Sequence, residues 1–143
     1  MKKDSSTKER RDKNKEALME VTKDIKAWSN RMIGAYGEAL AGRYLERKGY
    51  ALVDKNVRLR FGELDIVAIK DKVLIAVEVK TRRNGHCGRP CEAVTTLKRM
   101  HMEKALLQYA QKHSVYKWSM RMDVIEVYLR DRADYDIVHM RGI

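Results

Sequence analysis

The chain has 143 residues, with 31 lysines and arginines against 20 aspartates and glutamates, which gives a net charge of +11 at pH 7. A single domain of this length can bury a hydrophobic core without disulfides or a structural metal. No run of about eighteen apolar residues is present, which excludes a membrane-spanning helix. The positive charge favours a nucleic-acid partner over an anionic membrane surface or a basic protein without an anionic ligand.

The N-terminal residues 1–33 are predicted to be a charged extension of residues 34–143, which form the main domain. Residues 1–15 are almost wholly polar, so we expect them to be disordered. Apolar residues at helical spacing predict a helix from Lys15 to Trp28. The extension has no apolar secretory segment, and Cys87 and Cys91 are expected to be reduced thiols, so a cytoplasmic protein is expected.

The remaining chain alternates between helical and strand patterns. Gly34 to Gly37 is expected to interrupt the helical pattern, after which a helix runs from Gly37 and ends at Gly49. Its core-facing residues are Tyr36, Leu40, Tyr44 and Leu45, and Glu38 lies in its first turn. Further elements are strands Tyr50–Arg58, Glu63–Ile69 and Val73–Lys80, a polar loop from Thr81 to Arg89, a helix from Cys91 to Lys112 with Pro90 at its start, and strands Ser119–Leu129 and Tyr135–Met140. This order predicts an α/β fold with one mixed sheet.

The second and third strands predict a hairpin with an unusual charge pattern. With Asp71-Lys72 as a two-residue turn, Lys70 faces Val73 and Asp65 faces Glu78. The same register sets Glu63 opposite Lys80, and alternation places these four charged side chains on one face. The opposite face is then apolar and carries Leu64, Ile66, Ala68, Ile75, Val77 and Val79.

Facing carboxylates repel each other across a sheet, so something must offset the charge. A divalent cation does so, because Mg²⁺ binds through one or two carboxylates and several waters. Lys80 lies beside the pair, where it can orient a water or stabilise a phosphoryl charge. The alternative is a solvated sheet face, and for Glu63 we favour that alternative, as a plain ion pair with Lys80.

Several segments together resemble a known family. The helix and strand segments "GAYGEALAGRYLERKGY", "NVRLRFGELDIVA", "VEVKTR", "GRPCEAVTTLK" and "MRMDVIEVY" are similar to the YraN family, and Asp65, Glu78 and Lys80 resemble the motif of the PD-(D/E)xK nuclease superfamily. The YraN proteins are related to archaeal Holliday junction resolvases. The resemblance covers about Gly34 to Ile143, whereas residues 1–33 have no clear counterpart, and Leu64 stands where the superfamily motif has proline.

The resemblance implies a restriction-endonuclease-like core of αβββαβ order and a metal-dependent endonuclease acting on DNA, including branched or recombination intermediates. It implies that Asp65 and Glu78 bind Mg²⁺ or Mn²⁺, with Glu38 and the Val79 carbonyl as further ligands, and that Lys80 is the catalytic lysine. Junction resolvases usually dimerise, so a homodimer is also expected. The alternatives are a nucleic-acid-binding module of the same fold without turnover, and a structural protein whose N-terminal helix docks a partner.

Other charged residues surround this hairpin. Arg82, Arg83 and Arg89 follow it on the glycine-bearing loop, and Lys98 lies in the next helix. We expect these four side chains to contact DNA phosphates, although solvated surface cations are the plain alternative. A zinc site at His86, Cys87 and Cys91 is not favoured, because the spacing is poor. Asp123, within the fourth strand, is expected to be structural.

Overall fold

The computed structural model describes residues 25–83, 94–115 and 117–143, together with residue 13. The predicted disorder of residues 1–15, most of the predicted Lys15–Trp28 helix, and Arg89, His86, Cys87 and Cys91 lie outside the described residues. A 3₁₀ turn at Ile25–Ala27 is followed by α1 (Asn30–Arg47), β1 (Ala51–Leu59), β2 (Gly62–Lys70), β3 (Val73–Arg83), α2 (Thr96–Lys112), β4 (Ser119–Leu129) and β5 (Tyr135–Met140).

The five strands form one mixed sheet in the order β1-β2-β3-β4-β5. Strands β3 and β4 are parallel, and α2 lies in the connection between them, whereas the other neighbours are antiparallel. The predicted α/β class is therefore confirmed, and the arrangement is compatible with a restriction-endonuclease-like core. Within the described ranges, no helix combines the length and apolar character needed to cross a lipid bilayer.

Helix α1 packs closely on β3. It begins at the Ser29 cap, whose hydroxyl accepts the Met32 N–H, and it continues through Gly34 and Gly37, so the predicted interruption there is wrong. A Cβ added to Gly37 would lie only 1.7 Å from the Thr81 hydroxyl oxygen. Gly37 is thus needed for close approach, and the burial of this helix face outweighs the low helix propensity of glycine.

Helix α2 begins later than predicted. The sequence placed its start at Cys91 after Pro90, but Val94 and Thr95 precede the helix, which starts at Thr96. The Thr95 hydroxyl accepts the Lys98 N–H, so Thr95 is the N-cap. Because the helix starts at Thr96, Lys98 lies in its first turn.

The β2–β3 hairpin has the predicted register. Its five facing pairs run from Lys70 with Val73 to Ile66 with Val77. Asp71 and Lys72 both have left-handed backbones, with φ of 51° and 59°, as a type I′ hairpin turn requires. Strand β3 extends to Arg83, so the prediction that Arg82 and Arg83 lie in a loop is wrong.

The sheet has a hydrophobic core on each face. The core beneath α1 contains Leu40, Leu45, Ile66, Ala68, Ile75, Val77, Ile125 and Val127, and the core beneath α2 contains Leu64, Val67, Leu74, Ala76, Met102 and Leu106. The predicted grouping of Leu64 with Ile66 and Ala68 is therefore wrong. The change of face occurs at Asp65, between Leu64 and Ile66.

Candidate active site

Strand β2 changes face at Asp65 because the neighbouring backbone is irregular. The β1–β2 register sets Lys55 opposite Ile66 and Val57 opposite Leu64, which leaves Asn56 opposite Asp65. Asn56 has a left-handed backbone with φ of 49°, a conformation that asparagine tolerates better than most residues. Irregular β positions of this kind redirect side chains and are common beside active sites.

The Asp65 carboxylate reaches across to β3. Its Oδ2 accepts the backbone N–H of Val79 at 2.9 Å, and the regular β2–β3 ladder ends one position earlier, at Ile66 with Val77. The side chain thus takes the place of a ladder hydrogen bond. This contact holds Asp65 against the segment of β3 that carries Glu78 and Lys80.

Asp65 and Glu78 share one partly buried site. The Glu78 side chain is only 14% exposed. Burial, followed by the negative charge of Asp65, raises the pKa of Glu78 from 4.5 to about 7, and protonated Glu78 forms a hydrogen bond to Asp65. The two carboxylates therefore repel each other when both are ionised, as the sequence predicted.

Glu38 approaches the same site from α1. Burial and then the charge of Asp65 raise the pKa of Glu38, while a hydrogen bond from the Asn56 side chain lowers it. The charge of Asp65 therefore acts on both Glu38 and Glu78. Among the residues that the structure describes, no three carboxylates, histidines or cysteines are grouped closely enough to hold a metal ion.

The donor set still fits the predicted cation. Mg²⁺ needs only one or two carboxylates, because waters complete its octahedron. Asp65 and Glu78 supply two carboxylates at adjacent positions, and a cation between them would relieve the repulsion that raises the pKa of Glu78. The residues present therefore fit a mostly hydrated Mg²⁺ or Mn²⁺ better than a fully protein-ligated metal.

Two lysines lie beside the acidic pair. The Lys98 ammonium, in the first turn of α2, is 3.6 Å from Glu78 Oε1. Lys80 lies two residues after Glu78 on the same strand face, and its charge also lowers the pKa of Glu78, less than that of Lys98 does. The structure thus brings Asp65, Glu78, Lys80 and Lys98 together.

Glu126 is a site neighbour that the sequence interpretation missed. The parallel β3–β4 register pairs it with Lys80, on the α2 side of the sheet. The carboxylate is fully buried: Oε2 accepts a hydrogen bond from the Tyr128 hydroxyl and lies 3.7 Å from Arg82 Nε, while Oε1 has no hydrogen-bond partner among the residues that the structure describes. The sequence did carry a signal for this residue, a glutamate within the apolar run "VIEVY". A glutamate in a buried strand is rarely left without a cation nearby, so its position indicates a charged neighbour.

The remaining predicted contacts lie elsewhere. Arg83 points to the α1 side, where it donates to the carbonyl oxygens of Ile25 and Trp28. Glu63 pairs with Arg58 at 3.0 Å, so its predicted ion pair with Lys80 is wrong. The ladder stops before these residues, and Glu63 is instead paired with Arg58 across the β1–β2 hairpin.

Replacing Glu78 with glutamine is expected to stabilise the protein at high pH. The folded-state pKa of Glu78, about 7, is above its usual value of 4.5, so the stability that this group contributes is complete below pH 4.5 and is lost as pH rises through about 7. At pH 8, Glu78→Gln removes repulsion from Asp65 that is larger than the attraction to Lys98. We expect a gain of about 1–3 kcal/mol in the free energy of unfolding at pH 8.

Thermal and urea unfolding from pH 4.5 to 8 would measure this gain. Glu103→Gln, at an exposed position of α2, is the matched control and should show no such trend. If Glu78→Gln and the wild type lose stability in parallel over this range, the two carboxylates do not share a site.

Comparison with known proteins places the sequence in an established group. Residues 37–127 match the model of "Uncharacterised protein family UPF0102". Similar proteins, all named "UPF0102 protein", include one from Alkaliphilus oremlandii, 45% identical over 79% of this chain and 97% of that protein. A Geotalea uraniireducens protein is 40% identical over 78% of this chain and 88% of its own length, and one from Beutenbergia cavernae is 44% identical over 78% and 94%.

The matched region spans α1 to β4 and includes Glu38, Asp65, Glu78, Lys80 and Glu126. The relatives' names state no activity. The family model and these relatives together confirm the resemblance found in the sequence: the chain belongs to the UPF0102 family, also known as the YraN family.

Proposed function

We propose that this protein is a metal-dependent endonuclease that hydrolyses phosphodiester bonds in DNA. The observation that carries the proposal is the pairing of Asp65 and Glu78 in one partly buried site, with Lys80 beside them. A module that only binds DNA gains nothing from two mutually repelling carboxylates, which would also repel phosphates. A hydrolytic site that holds a cation does need them.

The metal would be held by Asp65 and Glu78, with Glu38 as a water-mediated ligand and the Val79 carbonyl as a further one. When bound, Mg²⁺ or Mn²⁺ lowers the pKa of a coordinated water and stabilises charge on the phosphoryl oxygens. The β2 irregularity at Asp65 and the Val79 N–H fix the direction of one carboxylate before any metal binds.

Lys80 would orient the attacking water or stabilise the charge that develops on the phosphoryl group. The β3–β4 register pairs Lys80 with the buried Glu126, whose carboxylate lies 3.7 Å from Arg82 Nε and would hold that guanidinium near Lys80. Lys98, beside Glu78, and Arg82, two residues after Lys80 on β3, would contact the adjacent phosphates. The DNA backbone would then cross the C-terminal half of β3 and the start of α2.

Loss of Asp65 should weaken metal binding and abolish cleavage. Calorimetric titration with Mn²⁺ is expected to detect binding to the wild type and at least tenfold weaker binding to Asp65→Asn, since one of two charged ligands is removed. Asp71→Asn is the matched control: Asp71 is exposed in the β2–β3 turn, at the far end of the same hairpin, and asparagine tolerates its left-handed backbone. Equal Mn²⁺ affinity in all three proteins would show that Asp65 does not bind the metal and would contradict the proposed metal centre.

A second candidate is a nucleic-acid-binding module without turnover. One observation favours it: within the described ranges, three potential metal ligands do not come together in one group. This candidate predicts salt-dependent DNA binding, from the net charge of +11, without metal-dependent cleavage. The two candidates therefore differ in the effect of Mn²⁺ on the DNA itself.

A further inference from the structure

The β1–β2 turn presents an aromatic side chain to solvent. Leu59 pairs with Gly62, so the turn consists of Arg60 and Phe61 alone. Phe61, the single phenylalanine of the chain, is 43% exposed. Two-residue hairpin turns usually carry glycine, asparagine or aspartate, so an aromatic residue here serves neither the turn nor the core.

Two cations flank the Phe61 ring. The Arg60 guanidinium carbon lies 5.8 Å from the ring centroid and the Lys104 ammonium lies 5.6 Å from it. The turn rests on α2, because a Cβ added to Gly62 would be 3.9 Å from the His101 Cβ. The aromatic ring is therefore held at a fixed place on the surface, between positive charges from two elements.

The exposed side of α2 continues this surface with apolar residues. Leu97, Met100 and Lys104 follow helical spacing along one stripe, and Leu97 and Met100 are 63% and 47% exposed. We call Arg60, Phe61, Leu97, Met100 and Lys104 the turn–helix patch. It combines apolar and cationic side chains, and the exposed Glu103 borders it on α2.

The turn–helix patch lies at the same end of the sheet as the acidic pair. Phe61 precedes Asp65 by four residues, about 13 Å along an extended strand. Lys104 follows Lys98, which contacts Glu78, by about 9 Å along α2. These lengths correspond to roughly three or four nucleotide steps of a DNA strand.

We propose that Phe61 stacks on a DNA base that is not paired in a duplex, while Arg60 and Lys104 bind the phosphates beside it. The proposal deepens the proposed function, on which it rests for its DNA ligand, because it assigns a substrate class: DNA with an unpaired nucleotide a few positions from the cleaved bond. A base inside an intact duplex is stacked on both sides and cannot reach a turn residue, so the duplex alone gives the ring no partner.

The energetics favour such an exchange. A base that stacks on Phe61 displaces one cation from the ring face, and an exposed cation–π contact is weaker than base–aromatic stacking. Both cations belong to exposed side chains, so the displaced group can turn to a phosphate. A second copy of this chain is a poorer occupant, because it would bring the same positive charges against the patch.

Binding to two DNAs of equal phosphate number tests the inference. One is a blunt duplex and the other is a duplex with a single-stranded arm, each measured by fluorescence anisotropy in EDTA so that no cleavage occurs. The wild type is expected to prefer the armed DNA. Phe61→Ala should lower affinity for it by roughly 5- to 150-fold, the value of one base stack, and leave blunt-duplex affinity within about twofold.

Two further variants make the test specific. Phe61→Trp should restore the preference, and Val53→Ala, at a similarly exposed apolar position (44%) near the start of β1, should leave it intact. The inference is overturned if Phe61→Ala binds both DNAs as the wild type does or weakens both equally. It is also overturned if sedimentation shows a dimer that Phe61→Ala dissociates, since the patch would then be covered by a second copy.

The same measurement separates this inference from the proposed function. Asp65→Asn should keep the preference for the armed DNA, because Phe61 acts on binding alone. Preference without any metal-dependent cleavage would reject the nuclease and retain the stacking residue. Cleavage that depends on Asp65, without any effect of Phe61, would retain the nuclease and reject the stacking residue.

Discussion

Asp123→Asn is expected to destabilise the protein by about 3 kcal/mol or more. The Asp123 carboxylate is fully buried and accepts hydrogen bonds from Arg121 Nε at 2.8 Å, Arg121 Nη2 at 2.9 Å and the Gly142 N–H at 3.0 Å, and its Oδ2 lies 2.8 Å from His139 Nε2. Neutralising one partner of a buried charge network leaves the other without compensation, which commonly costs about 3–5 kcal/mol. This network joins β4 to His139 of β5 and to Gly142 near the C-terminus, so its loss weakens that edge of the sheet.

The pH dependence identifies the cause. Burial alone would raise the pKa of Asp123, but hydrogen bonds from His139, Arg121 and Gly142 outweigh it and lower that pKa from 3.8 to about 2. The resulting stability is complete above pH 3.8 and is lost as pH falls through about 2. The difference in the free energy of unfolding between the wild type and Asp123→Asn should therefore be largest at pH 7 and should decrease as the pH falls below about 4.

Urea unfolding at several pH values measures both effects. Asp71→Asn, the exposed turn variant, should stay within about 0.5 kcal/mol of the wild type. A cost for Asp123→Asn as small as that of Asp71→Asn would mean that the buried network contributes little. Such a result would also reverse the prediction, made from the strand pattern, that Asp123 is structural.

Lys80→Ala is expected to lower metal-dependent DNA cleavage by about 10²–10³-fold, the usual cost of removing one charge-stabilising donor from a hydrolytic site. Lys80 lies two residues after Glu78 on β3, and the β3–β4 register pairs it with Glu126, so it is placed differently from Lys98, which approaches Glu78 from α2. DNA affinity should change little, since Lys80 is one of 31 basic residues. The variant therefore separates catalysis from binding.

Two controls accompany this variant. Lys112→Ala removes an exposed lysine at the opposite end of α2 from Lys98 and should leave cleavage unchanged. Thermal melting must show that Lys80→Ala is folded, because two carboxylates lose a neighbouring cation. Equal cleavage by wild type and folded Lys80→Ala would exclude Lys80 from the chemistry.

Much of the sheet follows from local sequence. Alternation and the Asp71-Lys72 turn fix the β2–β3 register, and β4 and β5 have the predicted bounds, because period-two patterns and turn residues act locally. The course of α1 through Gly37 could not be predicted, since it depends on Thr81 lying beneath that glycine. The late start of α2 at Thr96 reflects competition between two local signals, Pro90 and the Thr95 cap.

The candidate site was also predictable only where it depends on local sequence patterns. The register brought Asp65 near Glu78, but the left-handed backbone of Asn56 and the turn of Asp65 out of the ladder arise from pairing with β1. Glu126 joins the site only through the parallel pairing of β3 with β4, which is a long-range contact. Sequence patterns therefore located the acidic pair, while its surroundings required the assembled sheet.

Metal-dependent cleavage of DNA by the purified protein is the most direct test of the nuclease proposal. Labelled blunt duplex, single-stranded and branched DNAs would be incubated with wild type and Asp65→Asn, each with Mn²⁺ or with EDTA, across the column fractions that contain the protein. The expected result is cleavage by the wild type with Mn²⁺ alone, strongest on DNA with unpaired nucleotides, co-eluting with the protein and absent in Asp65→Asn. Salt-dependent binding with no cleavage of any DNA, or cleavage that persists in EDTA or in Asp65→Asn, would contradict it.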